Sequence, residues 1–179
     1  MNQFYNLNWN ENIEYDEFLA KLEMPYLKIT GNDLLLDNDF WRFLENLSAK
    51  GIITTISDNP NHLTSSSCKR LTEFGCREYE MQLMGLRKTH DLLFNRGSYD
   101  LTLSKVTLLK RFDIKSRILT VISKENISQI PWMIDDVVRL NADNFSLKRG
   151  YDDFNQFGNI LKKFIEYKDS GTSFSLSDS

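Results

Sequence analysis

Cysteine, histidine, proline and long apolar runs are what this chain has least of. Its two cysteines, Cys68 and Cys76, have no histidine near them, a pattern that matches no zinc or iron–sulfur spacing and no disulfide framework. The plain reading is two small buried thiols in a reducing compartment. The two histidines, His62 and His90, are not at ligand spacing from one another or from a cysteine. No apolar stretch approaches the roughly 20 residues that cross a bilayer. The polar, acidic opening of the chain is not a signal peptide, so no membrane association is expected and a cytoplasmic location is the default. A formal net charge of −3 offers no concentrated basic surface, which argues against nucleic acid as a principal partner.

What is present is an ordinary globular composition, 41% hydrophobic and 26% charged, at a length that suits one domain. Helix-like and strand-like segments alternate through it without a break. A helix is expected over 13–24, where Ile13, Phe18, Leu19 and Leu22 fall near helical period and Pro25 stops the run. Strands are expected at 26–30, 52–56, 78–84, 118–122 and 144–147. Those at 52–56 and 118–122 are so apolar that they read as covered on both faces. Between the strands, helices are expected over 40–47 and from Thr64 to Phe74. Gly51 and Gly75 close these two. Further helices are expected over 101–112, 128–140 and 154–167. The alternation predicts an α/β fold, a partial parallel (β/α) barrel of about five strands with helices outside. Residues 1–12 read as a flexible N-terminal segment, 13–168 as the barrel, and 169–179 as a loose polar tail.

In such a sheet ligands sit at the carboxyl ends of the strands, where turns expose backbone N–H groups. Turns 31–37, 57–63, 84–97, 123–127 and 148–153 converge on that edge. The first of them, Thr30-Gly31-Asn32-Asp33, runs straight out of a strand.

Taken in order, these turns resemble those of the radical S-adenosylmethionine superfamily, especially its peptide-modifying branch with an accessory C-terminal cluster domain. Thr30-Gly31-Asn32-Asp33-Leu34-Leu35 stands where that family has T-G-G-E-P-L. Asp58-Asn59-Pro60-Asn61-His62-Leu63-Thr64 is set against T-N-G-x-L-L-T. Gln82-Leu83-Met84-Gly85 is similar to S-x-D-G, and Thr89-His90-Asp91 and Gly97-Ser98-Tyr99 follow it as T-H-D and G-S-F/Y do. Ser123-Lys124-Glu125-Asn126 resembles T-K-x-N, and Phe145-Ser146-Leu147-Lys148-Arg149 resembles F-x-F-x-R. The correspondence covers about residues 13 to 168. It implies S-adenosylmethionine and a 4Fe–4S cluster as cofactors. It also places Thr30, Gly31, Asn32, Asp33, Gln82, Met84 and Arg149 in the S-adenosylmethionine pocket, with no catalytic residue and no metal ligand assigned in this chain.

The departures from the family pattern are equally specific. The family binds its cluster through C-x3-C-x2-C in the loop after the first strand. This chain carries no such motif and reads as lacking both that loop and the strand before it. Asn32 adds a side chain where the family has glycine, and Asp33 is one methylene shorter than the family's glutamate. Met84 replaces an aspartate with a thioether, at best a weak acceptor, and Gln82 replaces a serine. The expectation is a domain that is non-catalytic alone and acts as a peptide-binding or regulatory partner in a peptide-modification system. The alternative is a subunit of an active peptide maturase whose cluster segment comes from another chain. Expected partners are a peptide substrate or a complete radical SAM chain. Strand-edge pairing or a dimer is also expected, because 26–30 would expose an unpaired edge unless residues 4–9 lie along it.

Single residues also have simpler readings. His90 caps the following segment and His62 lies in a surface loop. Trp41 and Trp132 are core residues of their helices. Arg149 either grips a carboxylate at the strand end or is structural.

Overall fold

The computed structural model describes residues 5–9, 25–150 and 154–177, so the helix expected over 13–24 lies outside the described residues. Among the described residues there are seven strands: β1 Tyr5–Asn8, β2 Tyr26–Thr30, β3 Ile53–Ser57, β4 Cys76–Gln82, β5 Lys115–Val121, β6 Asn144–Lys148 and β7 Ser173–Ser177. They follow chain order along the sheet, and β1–β2, β2–β3, β3–β4, β5–β6 and β6–β7 pair in parallel. The helices are α1 Asn38–Ala49, α2 Ser65–Glu73, α3 Arg87–Leu93, α4 Ser98–Lys110, α5 Ile130–Arg139 and α6 Phe154–Glu166. The α/β class and the parallel sheet are as expected, and the five expected strands gain one at each end.

The added strand β1 closes the edge beside β2 in the way expected if the segment 4–9 lies along it. Its Tyr5 to Asn8 pair in register with Leu27 to Thr30, so that edge is filled from within the chain. Trp9 anchors the end of that pairing. Its N–H donates to the Thr30 carbonyl at 2.8 Å, and its indole Nε1 donates to Asp37 Oδ2, also at 2.8 Å. The ring packs edge-on against Phe40 at 5.5 Å and tilted against Phe43 at 5.3 Å, geometries that aromatic quadrupoles favour.

The chain forms two compact units, Met1–Glu80 with Leu108–Ile114, and Met81–Thr107 with Lys115–Ser179. In the first, strand side chains alternate in their burial. Leu27, Ile29, Thr54, Ile56 and Tyr79 are fully covered, while Lys28, Thr55 and Glu78 on the other face are half-exposed. The covered face receives Phe40, Trp41, Phe43, Leu44 and Leu47 from α1, apolar positions spaced to form one helical stripe. Asp37 starts α1 by accepting from the Asp39 N–H, and Thr64 starts α2 in a reciprocal capping box with Ser67, as the sequence pattern expects. Trp41 is buried as expected and donates Nε1 to the Leu35 carbonyl at 3.0 Å.

The second unit alternates in the same way. In β5, Ser116, Ile118 and Thr120 are buried, while Arg117, Leu119 and Val121 are half-exposed. The double coverage expected for 52–56 and 118–122 is therefore not found, because the apolar runs at their alternate positions line a partly open face. Helix α5 buries Ile130, Met133, Ile134 and Val137 but leaves Trp132 59% exposed, which corrects its core assignment: it lies on the outer side of that stripe. Helix α3 is a single extra element inside the charged segment 86–100. Asp91 near its end accepts from the N–H groups of Gly97 and Tyr99 and from Ser98 Oγ, so this carboxylate, and not His90, organises the start of α4. Beyond α6, Phe174 of β7 stacks on Phe164 at 4.7 Å.

The half-open faces differ in charge. On the first unit, Thr55 lies beside Glu78 and Ser57 beside Glu80, with Lys28 across from Thr55. Lys28 Nζ bridges both oxygens of Glu80 at 2.7 and 2.8 Å, and Ser57 Oγ donates to the same carboxylate at 2.7 Å. On the second, Arg117 lies beside Asn144 and Val121 beside Lys148. Arg117 donates to Ser146 Oγ at 3.2 Å, which also accepts from Ser175 Oγ at 2.8 Å.

Candidate functional site

The turn after β2 is closely held by its surroundings. Thr30 ends the strand, and Gly31 donates its N–H to the Ser57 carbonyl at 3.1 Å. A Cβ on Gly31 would lie 2.3 Å from Leu34 Cδ2, and Leu34 is itself 1% exposed, so any larger residue here would have to displace a buried side chain. Asn32 points outward and reaches only its neighbour, Nδ2 to Asp33 Oδ2 at 3.3 Å. Asp33 adopts the left-handed conformation, φ 57° and ψ 32°, which is uncommon for any residue but glycine and enriched in asparagine and aspartate. The 3-10 turn Leu34–Leu36 follows.

The end of β3 holds this turn. Asn59 Nδ2 donates to Asp33 Oδ1 at 2.7 Å, and His62 Nε2 lies 3.5 Å from the same oxygen. Asp58 is 6% exposed. Its Oδ1 accepts from the Asn59 N–H at 2.7 Å, while Oδ2 is buried without a close hydrogen bond. Burial pushes its pKa up to about 6, partly offset by the N–H groups of Asn59, Asp33 and Leu34 acting on the carboxyl. Tyr79 hydroxyl donates to the Asn59 carbonyl at 3.2 Å, and burial raises this phenol well above its ordinary range. The sequence singled out Asp33 but not Asp58, Asn59 or Tyr79. The aspartate–asparagine–proline run read as turn chemistry, and nothing local reveals that it grips a turn some 25 residues earlier.

Gln82, Met84 and Arg149 belong to the second unit. Gln82 ends β4 and is exposed. Both backbone groups of Met84 are occupied: its N–H donates to His90 Nδ1 at 3.1 Å, and its carbonyl accepts from Asn126 Nδ2 at 3.2 Å. What Met84 has left to offer is its half-buried thioether. His90 is 2% exposed, and burial lowers its pKa from the ordinary value, keeping the neutral ring that can accept from Met84. This tertiary acceptor role replaces the capping role expected for it. Asn126 is fully buried and ties Ser123 N–H, Val121 carbonyl and Met84 carbonyl together. Its place in the turn 123–127 was legible, its role was not. Arg149 is half-buried with its N–H on the Ser177 carbonyl at 2.9 Å. Next to it, a Cβ on Gly150 would come within 2.6 Å of the Ile122 carbonyl, so close approach of two backbones requires glycine there.

The residues present do not fit a 4Fe–4S cluster. A site-differentiated cluster takes three thiolates, and this chain has only Cys68 and Cys76. Both are completely buried, and desolvation pushes Cys76 up to about 12, the setting of an inert structural thiol. Residues 10–24, between β1 and β2, carry no cysteine. Among the described residues no group of three or more histidine, cysteine, aspartate or glutamate side chains is arranged to hold a metal ion. None of the helices there is long and apolar enough to cross a membrane.

Comparison with known proteins adds the following. No family model matches the chain. Pre-heme d1 synthase of Dinoroseobacter shibae is 25% identical over 119 residues, which is 66% of this chain and 30% of that protein. The crystal structure of Streptococcus suis SuiB bound to S-adenosylmethionine superposes with a TM-score of 0.75 at 17% identity, covering 97% of this chain and 46% of SuiB. SuiB bound to the precursor peptide SuiA gives 0.74 at 17% identity over 94% of this chain and 43% of that one. Coproporphyrinogen III oxidase (HemN) from Escherichia coli, a radical SAM enzyme, gives 0.67 at 13% identity over 94% of this chain and 52% of HemN. The chain thus spans about half or less of the length of these proteins. At such identities the likeness is one of fold: the chain has a radical-SAM-like α/β fold with parallel strands, of the kind found in TIM-type barrels.

Proposed function

We propose that this chain is a radical-SAM-like domain that does not assemble the family's cluster by itself and serves as a peptide-binding or regulatory partner in a peptide-modification system. The observation that carries this reading is the state of the thiols. The only two cysteines lie at 0% exposure on α2 and β4, away from the segment that follows the first strand, where the resemblance puts the cluster ligands. A peptide as the bound partner is supported by the likeness to SuiB, whose structure with a precursor peptide is among the neighbours.

A second reading is favoured by the turn after β2. Asp33 is still held in a left-handed conformation by Asn59, and strain of that kind persists where surroundings impose it, often at ligand sites. In this reading a separate chain supplies the cluster segment, and Thr30, Gly31, Asn32 and Asp33 remain as contacts to S-adenosylmethionine. Anaerobic reconstitution with iron and sulfide tests the first reading. The expected result is no stoichiometric iron and no charge-transfer absorption, and a cluster that survives Cys68→Ala and Cys76→Ala overturns it. Calorimetry with S-adenosylmethionine separates the two readings. Loss of one charge-assisted contact costs about 1.5–3 kcal/mol, roughly ten- to a hundred-fold in affinity, so weak or absent binding is expected. Micromolar binding abolished by Asp33→Ala selects the second.

A further inference from the structure

We propose that the outer edge of β7 is a docking site for an extended peptide, which adds to the sheet as a further strand and alternates apolar with acidic side chains. The proposal rests on the reading that the partner is a peptide, and it says where that peptide lies. Register decides which backbone groups are open. Ser173 N–H donates to the Asp143 carbonyl and Arg149 N–H to the Ser177 carbonyl, both at 2.9 Å, within the pairing of Asn144 to Lys148 with Ser173 to Ser177. In a parallel ladder, residues bonded to one neighbour alternate with residues whose groups face the other way. Ser173, Ser175 and Ser177 are therefore turned to β6, and Phe174 and Leu176 aim their N–H and C=O groups outward. β7 ends the strand order, so no described strand meets those groups. Its sequence, SFSLS, has none of the lysine, proline or inward charge that guards such an edge elsewhere.

The two faces beside this edge state the chemistry of the occupant. On the helix side, α6 lies over β7 through the stacking of Phe164 on Phe174. Its flank toward α5 is tied down, since Lys163 Nζ and the Tyr167 hydroxyl both donate to Asp135 Oδ1 at 2.9 Å. Helical period puts Leu161 and Ile165 on the opposite flank, out over the open edge. They are 51% and 70% exposed, and Leu176, on the same sheet face as Phe174, is 47% exposed. An added strand covers this apolar overhang with every second side chain. On the other sheet face its remaining side chains meet Ser173, Ser175 and Ser177, with Lys148 in register beside Ser177. Lys148 is exposed, Arg117 stands on the same face, and β5, β6 and β7 contain no acidic residue. That field selects an acidic partner over a basic one. It also disfavours a second copy of this chain, whose β7 would bring its own Lys148 to the same seam.

The test uses the full chain, labelled with nitrogen-15, and a short synthetic peptide that alternates valine with glutamate. Binding is read from the fluorescence anisotropy of the labelled peptide, and its place from amide exchange. In the free chain the Phe174 and Leu176 amides should exchange faster than those of Ser175 and Ser177. Saturation with peptide should slow them about tenfold or more, the size expected for gaining a hydrogen bond. N-methylation of alternate peptide residues should abolish binding in one phase and leave it in the other. Lys148→Glu should weaken the acidic peptide about three- to tenfold and strengthen a valine–lysine peptide. Leu176→Pro removes an outward N–H without touching the β6 ladder, so it should cancel binding while Ser175 and Ser177 stay protected. Phe174 and Leu176 amides that are already protected in the free monomer overturn the proposal, and this holds even if a variant does not fold. Protection that grows with protein concentration alone also overturns it, because a second copy then fills the edge. Absence of binding at millimolar peptide does the same. Anisotropy that rises while these amides stay unprotected sinks the edge site and leaves the peptide reading standing, whereas a cluster formed on reconstitution does the reverse.

Discussion

The two units are built alike and charged differently. Each lays parallel strands with one face covered by helices and the other more open, yet that second face carries Glu78 and a buried Glu80 bridged by Lys28 in the first unit, and Arg117 and Lys148 among serines and asparagine in the second. The buried titratable groups differ in the same sense. Among them are an acid in the first unit, Asp58, and a base in the second, His90. Each is disfavoured in its charged form by burial, so these two groups respond to pH with opposite signs. One architecture therefore tolerates two electrostatic solutions, because the helix-covered face carries the folding energy and the open face is free to vary.

The strongest way to break the likeness is at Trp9, which has no counterpart in the second unit. Trp9→Ala should cost about 3–5 kcal/mol, release β1, and raise amide exchange at 26–30 while 144–148 stays protected. Light scattering should then show association through the freed edge of β2.

Smaller, but more informative, is the pH response. The folded pKa of Asp58 lies above its ordinary value, about 6 against 3.8. Its contribution to stability is therefore present below pH 3.8 and lost as pH rises through 6, by up to about 3 kcal/mol. His90 is shifted below its ordinary 6.5, so its contribution is present above that value and lost as pH falls. Denaturation curves across this range should lose their alkaline slope in Asp58→Asn and their acid slope in His90→Gln.

Gly31→Ala and Gly150→Ala should show the units behaving alike. Each inserts a Cβ into a contact of 2.3 or 2.6 Å, and each should cost about 1–3 kcal/mol by chemical denaturation. The smallest effect has the opposite sign. Gly158, in α6, has nothing within 4 Å of an added Cβ, so Gly158→Ala should stabilise by about 0.5–1 kcal/mol.

The parallel α/β plan was legible because its signals are local. Pro25, Gly51 and Gly75 punctuate the chain, and Thr64 stands where a cap belongs. The end strands were not. Tyr5–Asn8 is short and half asparagine, and Ser173–Ser177 alternates serine with apolar residues, which reads as a polar tail until β6 lies beside it. Helix α3 hid in a charged stretch because Leu92 and Leu93 remain exposed and supply no buried stripe. Of the candidate site, the residues that run out of a strand could be found, and those that brace them from the next strand could not. Sequence spacing carries no trace of Asn59 reaching Asp33 or of His90 accepting from Met84.

The Trp9 anchor has a consequence for how the chain is made. Synthesis delivers β1 before the groups that fasten it, Asp37, Phe40 and Phe43, which come about 30 residues later. While the ribosome adds that stretch at roughly 5–20 residues per second, the strand waits without a dock, and β2 emerges before its neighbour can lie down. β7 meets the reverse situation, since β6 is complete before it appears. The nascent chain thus passes through an interval of a second or more in which its first edge is open, and a chaperone or a neighbouring polysome has its best chance to intervene then.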